Sequence, residues 1–110
     1  MHKELGKITS VRFGMGGYQD AQFGIWFTFG NDGWGVGSGE GVWSSKPSKC
    51  AKWTEADRLK LISEIALKIN DWLIEAKVDS VEKLKGIPVE ITFDSPHGKM
   101  LSWRILTEVL

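Results

Sequence analysis

The chain has 110 residues, 14 Lys+Arg against 14 Asp+Glu, one Cys and two His. That length suits one domain over residues 1–110. The lone Cys50 excludes an internal disulfide framework, two histidines argue against a multi-histidine metal centre, and zero net charge argues against bulk coating of nucleic acid or anionic lipid. The polar start, Met1 to Lys7, and the short apolar runs give no leader or membrane span, so the expectation is a cytoplasmic protein with no cofactor and no membrane partner.

Lys3 to Phe13 mixes apolar and polar residues and reads as a strand, with Ile8, Val11 and Phe13 as buried contacts. Gly14 to Asp20 reads as a loop, because three glycines in four residues leave the backbone unrestrained. Ala21 to Phe29 alternates with period two. Phe23, Ile25, Phe27 and Phe29 share one face, and Gln22, Gly24, Trp26 and Thr28 the other. Gly30-Asn31-Asp32-Gly33 supplies a hairpin turn of residues that tolerate positive φ.

The next strand has glycine at every second position, 33 through 41, with Trp34, Val36, Ser38, Glu40 and Val42 between. One of its faces therefore carries no side chains. A turn at Asn31-Asp32 places Trp26 opposite Gly37 and Phe27 opposite Val36, so the indole covers the bare face. The other possibility is that this face admits a ligand or another backbone.

Gly41 to Lys52 reads as a loop. Thr54 then caps a helix, with Asp57 three places on. Leu59, Ile62, Ile65, Ala66, Ile69, Trp72, Leu73 and Ala76 recur at spacings of three and four and form one apolar stripe. Asp79 to Lys85 predicts a second short helix ended by Gly86, Ile87 to Asp94 a strand, and Ser95 to Lys99 a turn. Leu101 to Leu110 predicts a closing strand with Trp103, Ile105 and Val109 on one face. The expected fold is α+β: an antiparallel sheet of about five strands, in the order βββ-α-α-ββ, with the long helix packed on one face.

No enzyme pattern emerges. The glycines at 14–17 lack a following Gly-Lys-Ser/Thr and a helix to place amides on phosphate. A nucleophile at Ser44 or Cys50 has only His97 as a candidate base, unless His2 folds back, which leaves a small hydrolase as the weakest reading. Trp26, Trp34, Trp43 and Trp53 offer a stacking platform for single-stranded nucleic acid. Residues 1–50 hold only five Lys/Arg against four Asp/Glu, too few for a basic groove. The loops at 14–20 and 40–46 combine aromatic, polar and backbone groups. Tyr18, Gln19, Asp20, Trp43 and Ser44, with Arg12 or Arg104 as the guanidinium, are the candidate ligand contacts. An exposed aromatic hairpin further suggests a homo-oligomer.

The segments Phe13 to Ala21, Gly33-Trp34-Gly35-Val36, Lys52-Trp53-Thr54-Glu55 and Trp103 to Leu110 together resemble a family of small uncharacterised phage and prophage proteins. The resemblance runs through nearly the whole chain. It implies a non-enzymatic accessory binding protein, such as an inhibitor of host defence that captures a small anionic or nucleotide-like ligand or blocks a host protein. It assigns no functional residues.

Overall fold

The two hydrophobic periods produce five strands and one long helix, and the computed structural model describes all of residues 1–110. The strands are β1 (His2–Gly16), β2 (Gln22–Asn31), β3 (Trp34–Trp43), β4 (Pro88–Phe93) and β5 (Met100–Ile105), and the helix α1 is Glu55–Ala76. They form one antiparallel sheet in the order β3-β2-β1-β4-β5, an α+β arrangement. No helix is long and apolar enough to cross a membrane.

β1 is shared between two partners. Its first half, His2 to Lys7, pairs with β4, and its second half, Lys7 to Gly16, pairs with β2. Between Ile8 and Ser10 the register slips by one, leaving Thr9 as the extra residue of a bulge. Side chains alternate with period two, so one extra residue exchanges the faces. Ile8 thus faces the core with Phe29, and Val11 does so with Phe27, although 8 and 11 differ in parity. On the other face the bulge gathers three hydroxyls: Thr9 Oγ1 and Ser10 Oγ each lie 2.6 Å from Thr28 Oγ1.

The β2–β3 turn differs from expectation. Asn31 pairs with Trp34, so Asp32 and Gly33 form the two-residue turn and Trp26 lies opposite Gly39, not Gly37. Phe27 correspondingly meets Ser38, not Val36. Neither turn residue uses positive φ. Asn31 fixes the turn instead: its Oδ1 accepts from Gly33 N–H at 2.9 Å and its Nδ2 donates to the Leu5 carbonyl at 3.0 Å. A slip of two residues preserves the face, so the indole still covers the bare side. A methyl group added at Gly16 or Gly39 would overlap the Trp26 ring, and one at Gly41 would lie 2.9 Å from its Cη2.

Thr54 caps α1 reciprocally. Its Oγ1 accepts from Asp57 N–H at 3.1 Å, and Asp57 Oδ2 accepts from Thr54 N–H at 2.9 Å. Lys77, at φ 59°, ends the helix in the left-handed conformation. Ile65 and Ala76 are buried, and Ile62, Ile69, Trp72 and Leu73 pack against the core. Leu59 and Ala66, expected on that stripe, face solvent, because the sheet accepts a narrower face than the sequence offers. The sheet contributes Ile8, Ile25, Phe27, Phe29, Val42, Val89, Ile91 and Ile105. Trp103 of β5 sits three strands from β2, yet its ring centroid lies 5.1 Å from Phe27 and 4.9 Å from Phe29, so the sheet curls around the helix.

The expected second helix is a 3₁₀ turn, Val81–Leu84, whose Leu84 is fully buried. The last strand ends at Ile105. Residues Thr107–Val109 form another 3₁₀ turn, and Val109 is exposed instead of continuing the face of Trp103 and Ile105. The expected five strands, the long helix and their chain order are present.

Candidate functional site

The candidate residues lie at two ends of the sheet. At one, the β1–β2 loop and the end of β3 meet. Gln22 pairs with Trp43, and both the N–H and the hydroxyl of Ser44 donate to the Ala21 carbonyl, at 3.1 and 3.0 Å. The loop closes through a 3₁₀ turn, Tyr18–Asp20, in which Gln19 and Asp20 both hold positive φ, 54° and 53°. Tyr18, Gln19, Asp20, Trp43 and Ser44 therefore share one end of the fold, as the sequence suggested. They are exposed, with Tyr18 71% and Trp43 43% exposed, and the Ser44 hydroxyl is engaged within the fold.

Arg104 does not join them. It lies on β5, at the opposite edge of the sheet from β3. Its Nε donates to Glu90 at 3.2 Å, and Nη1 and Nη2 donate to the two oxygens of Glu108 at 3.1 and 3.0 Å. The guanidinium is held more firmly protonated by these bonds, first Glu108 and then Glu90, and Arg104 holds the Glu108 carboxyl below its ordinary range. The alternative, Arg12, sits on the outer face of β1 beside Trp26 and donates to the Met15 carbonyl at 2.5 Å.

The other end holds a cleft of about 520 Å³ between the start of β1, the β2–β3 turn and the β4–β5 turn. Its walls include His2, Glu4, Trp34, Phe93 and His97, with Gly33, Gly35 and Gly98 leaving space at the rim. Pairing of His2 with Phe93 brings the chain start to this place. Trp34 and Phe93 stand edge to face, with centroids 5.9 Å apart and planes at 87°. Trp34 lies over Gly6, where an added Cβ would come within 3.0 Å of Cη2 and Cζ2. The Trp34 Nε1 donor is buried without a hydrogen-bond partner. His2 Nε2 donates to Glu4 Oε1 at 2.6 Å, which leaves Nδ1 free to contact a ligand. His97, at φ 64°, is exposed on the β4–β5 turn.

The remaining sequence-level constellations separate. Ser44 lies beyond one end of β3 and His97 flanks its other end, and a ten-residue strand spans roughly 30 Å, so they form no nucleophile–base pair. Cys50 is exposed in the β3–α1 loop. Trp26 and Trp43 point to the outer face of the sheet and Trp34 to the helix-bearing face, so the four indoles make no single stacking platform. No group of three or more His, Cys, Asp or Glu side chains converges on one point. The cleft escapes sequence reasoning because its residues come from positions 2, 34, 93 and 97. The only local signals are an imidazole beside a Pro-containing turn and a Trp opening the glycine strand.

The chain matches no family model, no curated protein and no solved structure. The resemblance to small phage proteins therefore stands on the sequence segments alone.

Proposed function

We propose that this protein is a non-enzymatic accessory binding protein that captures a small nucleotide-like ligand in the cleft at the β2–β3 turn. The observation that carries this reading is the convergence of an aromatic corner, Trp34 and Phe93, with two imidazoles, His2 and His97, in one concavity of about 520 Å³. A planar base suits the aromatic corner, and the imidazole nitrogens suit the polar groups of such a ligand. The volume falls within the usual range of small-molecule sites. The host-directed, phage-type role follows from the sequence resemblance and supplies the context in which capture of a nucleotide signal has a purpose.

Calorimetric titration with mononucleotides, dinucleotides and cyclic dinucleotides tests this reading. A member of the panel is expected to bind with quenching of Trp fluorescence, and His97→Ala, on an exposed turn, is expected to weaken that binding about tenfold. Silence across the panel would refute small-ligand capture. The exposed end at Tyr18 and Trp43 would then carry the competing reading, blockade of a host protein, since exposed Tyr and Trp are favoured anchors in protein interfaces.

A further inference from the structure

We infer that the open edge of β1 is a self-association surface, on which a second copy of this chain pairs antiparallel about Phe13. Each half of β1 has a strand neighbour on one side only, the two overlapping at Lys7. β4 pairs with His2 through Lys7 and ends there. Ile8 is the last residue engaged on that side: its N–H donates to the Ile87 carbonyl at 3.0 Å, and its own carbonyl accepts from Gly86 N–H at 2.7 Å. From Ser10 to Gly16, β2 is the only strand partner. Strand alternation beyond the Thr9 bulge turns the backbone N–H and C=O groups of Val11, Phe13 and Met15 to the open side, where the Met15 carbonyl already accepts from Arg12.

The side chains of the same three residues lie on the helix-bearing face, beyond the reach of α1. Phe13 is 48% and Met15 39% exposed. Phe13 already packs against Phe23, with centroids 5.1 Å apart and planes tilted at 52°, so the apolar band is ordered before any partner arrives. The outer face of the segment carries Gly14, Gly16 and a single charged residue, Arg12. A strand edge with free backbone groups and an apolar band along it is a template for another strand.

A second copy fits because the segment is self-complementary about its centre. Antiparallel pairing centred on Phe13 opposes Phe13 to Phe13, Val11 to Met15, and Arg12 to Gly14. Each guanidinium then meets a glycine. Centring on Arg12 would oppose like charges, which is unfavourable in a cross-strand pair. The pairing has two-fold symmetry, so it closes at a dimer joined through the two β1 segments. In the single chain Arg12 donates to the Met15 carbonyl, a charge over the free edge that opposes indiscriminate pairing. This surface lies at the far end of β1 from the cleft, so the two proposals stand or fall separately.

Sedimentation and light scattering over a concentration series test it. The expected mass is twice the 12.3 kDa of the chain. Phe13→Lys and Phe13→Glu should each raise the dimer dissociation constant at least tenfold, and an equimolar mixture of the two should restore association. Leu5→Lys, on the half of β1 whose corresponding side is covered by β4, should leave association unchanged. Phe13 is half exposed, so the variants should retain the far-UV circular dichroism of the parent. In a Cys50→Ser background, Phe13→Cys should form a disulfide-linked dimer under mild oxidation, since paired Cα atoms about 5.5 Å apart suit a disulfide. A monomer at every concentration up to ~1 mM, a dimer indifferent to both charge variants, or charge variants whose mixture stays monomeric would each overturn the proposal.

Discussion

Gly39→Ala probes whether the alternating glycines exist to receive Trp26. A Cβ at position 39 would overlap the six-membered ring of the indole and lie 2.6 Å from Cζ3. Ordinary carbon–carbon contact is roughly 3.5–4.0 Å. The ring must therefore move by about 1 Å or more. It has little room, because Gly16 and Gly41 lie beneath the same indole and its Nε1 donates to the Gly14 carbonyl at 3.2 Å. Overpacking of this kind costs about 1–3 kcal/mol. At ~4 °C per kcal/mol for a domain of this size, Tm should fall by roughly 4–12 °C.

The same substitution in a Trp26→Ala background should change sign. With the ring gone, only the entropic advantage of alanine over glycine in a strand remains, about 0.5–1 kcal/mol of stabilisation. The double-mutant cycle should then return a coupling of about 1.5–4 kcal/mol. Gly37→Ala is the control. Its Cβ would meet only the Phe27 carbonyl, at an ordinary 3.6 Å, so it should stabilise the chain by about 0.5–1 kcal/mol. Urea unfolding followed by far-UV circular dichroism measures all four variants without relying on Trp signals. Equal costs for Gly39→Ala in both backgrounds, or equal costs at positions 37 and 39, would refute the reasoning.

Two further predictions follow from local geometry. Thr54→Ala removes one half of a reciprocal cap and should cost about 0.5–2 kcal/mol by the same urea assay, with exchange of the first-turn amides of α1 accelerated. Arg104→Gln should return the Glu108 carboxyl upward to its ordinary range, read from carboxyl carbon shifts in an NMR titration. Because the folded-state value in the parent lies below the ordinary one, the pairing stabilises the chain above the ordinary carboxylate range and is lost as pH falls through the depressed folded value. The variant should lack that acid-side loss, and an unchanged Glu108 titration would remove Arg104 as the cause.

The candidate site was legible only in part. Tyr18, Gln19, Asp20, Trp43 and Ser44 come together because they flank the two ends of one hairpin pairing, β2 with β3, which alternation and a turn signal already imply. Arg104 was misplaced because no local pattern tells that β5 is the edge opposite β3. The cleft was missed for the same reason. His2 reaches Phe93 and His97 only through the antiparallel pairing of β1 with β4, a contact across some ninety residues of chain.

The sequence by itself determined the faces of β2 and β3, the capped helix, and the alternation that leaves one side of β3 bare. These follow from the period of side-chain direction and from short-range hydrogen bonds, which neighbouring residues set among themselves. Tertiary structure decided which partner each half of β1 takes, the Thr9 bulge that reconciles Ile8 with Val11, and the open edge beyond it. It also separated Gly39 and Gly41, which the indole requires, from Gly35 and Gly37, where an added methyl would make only ordinary contacts. Composition marks those four residues alike. They differ only in what the folded chain places above them.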